Sequence, residues 1–420
     1  MPIRRLSHCI INVTAALLGG SISGFITAQY RNSTADTGGF VFKYCNIVGT
    51  GTSYLGRALT KYSRVIIYKT AFSDIIVPEG WNSWSFHGQE AAGVICKDGK
   101  DTLYVGNFKS QFTTVQSAID AIPENNDQWI KIKISPGFYT EQVSIPANKP
   151  CVVLEGNSSR TTKITYNAHQ RTDTSATFSS FAENIVAKGI TFENSYNIAE
   201  GLNLRQKQVD VGAAKSWDSP ALAQALAARI YGDKSAFFDC GFKGVQDTLW
   251  DVQGRHFFSR CYIEGAVDFI FGNGQSVYER CVVNYTGGLI FPGESVAGYI
   301  TAQARESSNE TTGFIFRRGI VTGSGQAYLG RAYRPYSRVL FFNTWFSPIV
   351  TSPGWDAWNF RGQESNLVYG EIGCEGPGSD TSKRVSWEKK FGPRDQQSVN
   401  QQFSTSLFIN QDGWLTNLPQ

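Results

Sequence analysis

A short pattern returns about every 20 residues in the middle of this chain, and few folds other than a solenoid accommodate it. Phe237-Phe238-Asp239-Cys240, Phe257-Phe258-Ser259-Arg260-Cys261 and Val277-Tyr278-Glu279-Arg280-Cys281 are three versions of one unit. A β-rich unit this short cannot bury a core by itself and must stack on its neighbours, most simply as a parallel β-helix. In such a coil, residues one period apart lie on adjacent strands, roughly 4.8 Å apart. Asp247 and Asp268 are 21 residues apart, as are Cys240 and Cys261. The spacing therefore sets the two aspartates face to face across one rung. It also brings the two cysteines within disulfide reach, with a pair of reduced buried thiols as the alternative.

The aspartates stand in Gln246-Asp247-Thr248-Leu249-Trp250 and Asp268-Phe269-Ile270-Phe271-Gly272, each beside an apolar run. Carboxylates are rarely buried without a partner. Two of them this close cannot both ionise freely, so one is held protonated beside an ionised neighbour. An acid beside a nucleophile or base is what carbonyl chemistry needs. The plainer alternative is a pair of turn-forming or strand-capping residues. Gln224 precedes Gln246 by 22 residues, again one period. Two amide side chains in the same strip suit the stabilisation of an oxyanion, although glutamines on a solenoid face also form simple ladders.

Length and composition set wider bounds. At 420 residues the chain has room for two or three domains, or for one long solenoid, and its 42 glycines suit many tight turns. The net charge of +4 is mild, and no Lys/Arg block points to nucleic acid. The four histidines are scattered, and the eight cysteines contain no CxxC, so no metal site is expected. Asn12, Asn32, Asn157, Asn284 and Asn309 each begin an Asn-x-Ser/Thr triplet, which permits glycosylation in a secretory setting.

The chain also repeats itself at long range. From Gly24 onward it matches itself without gaps at an offset of 274: Gly24–Gln29 with Gly298–Gln303, Tyr54–Ala58 with Tyr328–Ala332, and Gly88-Gln89-Glu90 with Gly362-Gln363-Glu364. Cys9–Thr14 likewise resembles Cys281–Thr286. Residues 1–97 thus read as a partial copy of the later coils, holding Arg57 but nothing equivalent to Gln246–Gly272, and residues 98–420 as the complete unit. The apolar run from Cys9 to Leu18 follows Arg4 and Arg5 and resembles a signal peptide, but the repeat makes a β-helix strand the simpler expectation. In the complete unit, apolar residues at 112, 115, 118, 119 and 122 predict a helix ended by Pro123, capping the stack. Strands are expected at Ile130–Ile134, Val143–Ile145 and Cys151–Leu154, with Gly137–Glu141 as the turn between the first two.

Taken together, Gly137-Phe-Tyr-Thr-Glu141, Gln224-Ala-Leu-Ala, Gln246-Asp-Thr-Leu249, Asp268-Phe-Ile-Phe-Gly272 and Leu329-Gly-Arg331 resemble the plant pectinesterases. Five motifs in order from about residue 98 onward make the resemblance specific. It implies an all-β fold, a right-handed parallel β-helix, and hydrolysis of the methyl esters of homogalacturonan pectin without a cofactor. By the same resemblance Asp268 is the nucleophile and Asp247 the proton donor. Gln224 and Gln246 form the oxyanion hole, while Arg331 holds Asp268 and, with Tyr333, meets substrate. A secreted, cell-wall, monomeric protein is implied, with proteinaceous pectinesterase inhibitors as further partners and neither nucleic acid nor membrane.

Two departures bear on these expectations. Family members often read Leu-Gly-Arg-Pro-Trp, where this chain has Leu329-Gly-Arg-Ala-Tyr333, so altered substrate affinity is expected rather than lost activity. The partial copy stands where family members carry a leader. Phe271, Tyr333 and Trp355 are candidate walls of a polysaccharide groove, with core packing the alternative for Phe271. Two rival functions stay open on sequence alone: a glycosidase using the same carboxylate pair, and a wall-binding protein impaired in catalysis by its front copy.

Overall fold

The computed structural model describes residues 3–14, 24–29, 39–59, 63–77, 80–82, 94–106, 110–197, 222–290 and 297–419. The Asn32 triplet and Gly88-Gln89-Glu90 lie outside the described residues. The chain divides into two compact units, Met1–Gly93 and Val94–Gln420.

The second unit is a parallel β-helix built from three sheets of ten, eight and eight strands, with successive rungs contributing strands to each sheet in turn. Its coils have the right-handed sense that parallel crossovers take. The corner between the first and second sheets explains the repeated motif. Asp239, Arg260, Arg280, Arg318 and Asn343 all have left-handed backbones, with φ of 53°, 53°, 56°, 54° and 47°. Each turns the chain sharply at the same place in its coil, and the residue after it re-enters the core. Three of those next residues are Cys240, Cys261 and Cys281, all buried.

Along the first sheet, register stacks Phe237, Phe258, Tyr278, Phe316 and Phe341 one above another. Successive ring centroids are 5.0, 4.6, 4.6 and 4.5 Å apart. Each such pair adds about 0.5–1.5 kcal/mol beyond its area burial. Cys240 and Cys261 face into this core as free thiols and do not form a disulfide. Their Sγ atoms donate to the Phe238 and Phe237 carbonyls at 3.4 Å each. The bridge is instead Cys96–Cys151.

At the start of the stack the helix is shorter than its apolar stripe, running over Val115–Asp120. Phe112 is taken by a β-bridge to Val105, and Thr114 caps the helix by accepting from the Ser117 N–H. Glu141 accepts from the N–H groups of Val115 and Gln116, fixing the helix to the first coil. Gly137–Thr140 is a strand rather than the expected turn, paired with Thr162–Tyr166. Its alternate exposure lets Tyr139 pack inward and donate to the Ser135 carbonyl at 2.9 Å. The strands at Ile130–Ile134 and Val143–Ile145 match their expected spans, and the third runs over Val152–Gly156. At the far end of the chain, Phe403, Phe408, Ile409 and Trp414 lie on the outer face of the first sheet against Val277, Ile315, Leu340 and Phe342.

The first unit has shorter coils of the same kind. Ile3–Ser7, Gly39–Lys43 and Val65–Tyr68 form one sheet, and Ile10–Thr14, Asn46–Thr50 and Ala71–Phe72 another. The part of the apolar run within Ile10–Thr14 is therefore strand. Arg57 lies over the Phe25 ring, 4.8 Å from its centroid.

Candidate active site

The candidate residues gather on the third sheet. The Asp247 N–H donates to the Val267 carbonyl, which sets Asp247 level with Asp268 as the period requires. Both residues have left-handed backbones, with φ of 60° and 47°. Asp268 also lies in a bulge. Val267 pairs with Tyr299 but Ile270 with Thr301, so two residues oppose one. Bulges re-aim side chains. Here Phe269 is wholly buried in the core, while Asp268 reaches Arg331 on the outer face. Asp251, nearby on the next strand, makes the contrast. It turns inward and is satisfied by Tyr278 Oη at 2.6 Å and by His256 Nδ1 at 2.5 Å.

Asp247 and Asp268 are only 7% and 8% exposed. Arg331 Nε donates to both oxygens of Asp268, at 2.8 and 3.1 Å, and Nη2 makes an ion pair with Oδ2. The guanidinium is sandwiched between the rings of Tyr299 and Trp358, at 4.3 and 4.1 Å from their centroids. Trp358 is held in turn, its backbone N–H donating to Asp356 Oδ1 at 2.8 Å, and Tyr299 Oη donates to Asp356 Oδ2 at 3.1 Å.

These surroundings separate the two carboxyls. Burial and then the charge of Asp268 push Asp247 well above the usual carboxylate range, with only the more distant Arg331 opposing. Burial raises Asp268 too, but its hydrogen bonds and charge contact with Arg331 pull it back. The arrangement favours a protonated Asp247 beside an ionised Asp268.

The two glutamines also share a level. The Ala225 N–H donates to the Gln246 carbonyl at 3.3 Å, which sets Gln224 beside Gln246. A one-residue slip follows immediately, since the Thr248 carbonyl accepts from both Ala227 and Ala228. Gln224 Oε1 accepts from Thr172 Oγ1 at 2.6 Å, which leaves its amide nitrogen as the free donor end. Gln246 is half-buried.

The flanking surface corrects one expectation and adds to another. Trp355 is 1% exposed and belongs to the core, because its position pairs with the inward-facing Gly330. Tyr333 is 42% exposed and stacks on Trp358 at 6.0 Å. Phe271 is buried but stacks on Trp250 at 5.3 Å, and the Arg229 guanidinium lies 4.8 Å from the Trp250 ring centroid. Arg229, Trp250 and Phe271 share one register line, which continues through Ala302 to Arg331. Sequence reasoning missed Arg229, Trp250, Tyr299 and Trp358. The period of 21 that linked the aspartates also links Arg229, Trp250 and Phe271, and would have found Arg229 and Trp250; nothing comparable points to Tyr299 and Trp358.

A carboxyl gripped by a fixed cation, a neighbouring carboxyl raised by burial and two amide side chains are equipped for acyl transfer. The sequence model of the family described as Pectinesterase matches residues 6–97 and 94–412. Probable pectinesterase 55 of Arabidopsis thaliana is 46% identical over 308 residues, spanning 73% of this chain and 88% of that protein. Probable pectinesterase 29 of the same plant is also 46% identical, over 73% of this chain and 86% of its own length. Among solved structures, the pectin methylesterase from carrot superposes with a TM-score of 0.65 at 29% identity, covering 78% of this chain and 98% of its own. The Aspergillus niger pectin methylesterase shares the fold, with a TM-score of 0.60 at 24% identity over 77% and 98% of the two chains. On the family match and these relatives, the chain belongs to the pectinesterases, enzymes that hydrolyse carboxylic esters.

Proposed function

We propose that this pectinesterase hydrolyses the C6 methyl esters of galacturonate units in homogalacturonan, acting outside the cell on wall pectin. The observation that carries the residue roles is the unequal treatment of two stacked carboxyls: Arg331 grips Asp268 and leaves Asp247 to the effect of burial. In the first step an Asp268 oxygen attacks the ester carbonyl carbon. The carbonyl oxygen becomes an oxyanion that accepts hydrogen bonds from the Gln224 and Gln246 amides. Collapse of the intermediate breaks the bond to the methoxy oxygen, which takes the Asp247 proton and leaves as methanol. The acyl group is now an anhydride on Asp268. Asp247, now ionised, removes a proton from water as that water attacks the anhydride, releasing free galacturonate and restoring both aspartates.

A carboxylate is a weak nucleophile, so much of the rate must come from positioning and oxyanion donors. Arg331 holds the nucleophile in one orientation. Tyr333, Trp358 and Trp250 are the aromatic surfaces on which sugar rings would stack. A retaining glycosidase would also use two carboxyls about 5 Å apart, but the paired amides have a clear task only in the ester reaction.

Methanol release from highly methylated pectin tests the proposal. Asp268→Ala and Asp247→Ala should each abolish it while leaving the fold intact. Reducing ends formed without methanol would replace the esterase reading with the glycosidase. Near-normal methanol release by either variant would remove that aspartate from the mechanism.

A further inference from the structure

We propose that Asn309 carries an N-linked glycan whose first sugar residues seat in a cavity beside the C-terminal helices. Asn309-Glu310-Thr311 is an acceptor triplet. It lies in an exposed turn between the strands Gly298–Gln303 and Gly313–Arg317. That turn is pinned from below. The buried Arg305 donates through Nε to the Glu310 carbonyl at 2.9 Å and through Nη2 to the Ser308 carbonyl at 2.6 Å. Glu310 Oε2 in turn accepts from Asn273 Nδ2 at 2.9 Å. A side chain rooted in such a turn points one way, and so would a sugar joined to it.

The other described triplets differ. Asn12 and Asn284 lie inside paired strands, opposite Val48 in one case and between Glu264 and Thr322 in the other. Asn157 lies at a tight turn, with Nδ2 3.5 Å from Thr161 Oγ1.

Asn309 also borders a cavity of about 680 Å³. The cavity is also lined by Gln401, Gln402 and Gln411, the last with its Nε2 donating to the Leu407 carbonyl at 2.7 Å, and by Phe403 and Leu407. Leu407 is exposed. Amide donors and acceptors around a small apolar floor suit a pyranose, which presents hydroxyls at its rim and C–H groups on its face. An acetamido sugar adds an amide that can pair with a glutamine. The bond is made between Asn309 Nδ2, which loses a proton, and C1 of an oligosaccharide carried on a lipid pyrophosphate, which departs. The inference rests on the extracellular reading above, since only that route brings the chain to such a donor.

The full chain, secreted from plant cells behind a supplied leader, provides the test. Site occupancy is read by peptide mass spectrometry, and glycan release by peptide N-glycosidase is compared on native and denatured protein. Asn309 is expected to be occupied, and its glycan to come off only after denaturation. A bare Asn309, or a glycan released as readily from the native protein, would overturn the proposal. The Asn309→Gln variant should keep its methanol release. Because the leader is supplied, methanol release by the same material reports the esterase reading separately.

Discussion

At the scale of single residues, the site consists of two like carboxyls made unlike by one arginine. On the proposed roles, turnover needs Asp268 ionised and Asp247 protonated, so the rate should fall as pH rises through the raised Asp247 value. The same shift works against stability. Between the ordinary carboxylate range and that raised value, the folded chain keeps a proton that the unfolded chain has released, so unfolding free energy falls as pH rises across the window. Asp247→Asn removes the titration while keeping the shape. It should abolish methanol release yet raise Tm at neutral pH, by about 2–4 °C for each kcal/mol relieved, with no gain at a pH below the ordinary carboxylate range. A variant no more stable than wild type at neutral pH would mean that Asp247 is not held protonated. Gln246→Ala should lower turnover roughly 10²–10³-fold if its amide donates to the oxyanion. An effect on KM alone would make it a binding residue instead. The aspartates and glutamines were legible in the sequence because the period alone aligns them. Which of the two is the acid is not set by the period and was assigned only through the family resemblance, because their different surroundings depend on the bulge that turns Asp268 toward Arg331, 63 residues later.

At the scale of elements, the coil repeats three devices: an inward aromatic, a left-handed corner and a small buried residue after it. The aromatic was visible as a spaced Phe or Tyr, and the small residue as a recurring cysteine. The corner was not, because at Arg260, Arg280 and Arg318 an arginine occupies a conformation usually given to glycine, asparagine or aspartate. The choice between a disulfide and two free thiols was not legible for a related reason. Stacked cysteines at one corner looked like a pair, but three successive coils carry one each, and their thiols find carbonyl acceptors within the core. Gly137–Glu141 stands between two strand-like runs, as a turn would, and only pairing with the next coil makes Gly137–Thr140 a strand. The aromatic stack should dominate the energetics of the coil. Phe258 touches stacked rings on both sides and is fully buried. Phe258→Ala should cost about 3–5 kcal/mol, seen as a lower midpoint in urea unfolding. A loss below about 1 kcal/mol, the scale of a tolerated core swap, would mean that the stack closes over the gap.

At the scale of the whole molecule, the question is what the front copy contributes. The long-range repeat was legible, since an ungapped offset of 274 needs no structure to be seen. Where the second unit begins was less so, because the motif at Lys97-Asp98-Gly99-Lys100 marks a change of pattern and not the first bonded residue. Two residues ahead of it, Val94 and Cys96, are tied into the second unit. The Val94 N–H donates to Glu183 Oε1 at 2.8 Å, and Asn184 Nδ2 donates to the Val94 carbonyl at 2.8 Å. Cys96 forms the disulfide with Cys151, closing a loop with a sequence separation of 55. We propose Val94 as the working boundary and the preceding residues as dispensable for catalysis, since Arg57 has no counterparts of Asp247 and Asp268 in its own copy. A chain beginning at Val94 should match the full chain in methanol release. A chain beginning at Lys97 keeps every candidate catalytic group but leaves Cys151 unpaired. It should be less stable by about 2–5 kcal/mol, the usual loss when a native disulfide is removed, with its remaining folded fraction still active. Reducing agent should narrow the difference between the two, because it opens the bridge in the longer chain. If the chain from Val94 folded but released no methanol, the front copy would be part of the enzyme's working site, and the division proposed here would fail.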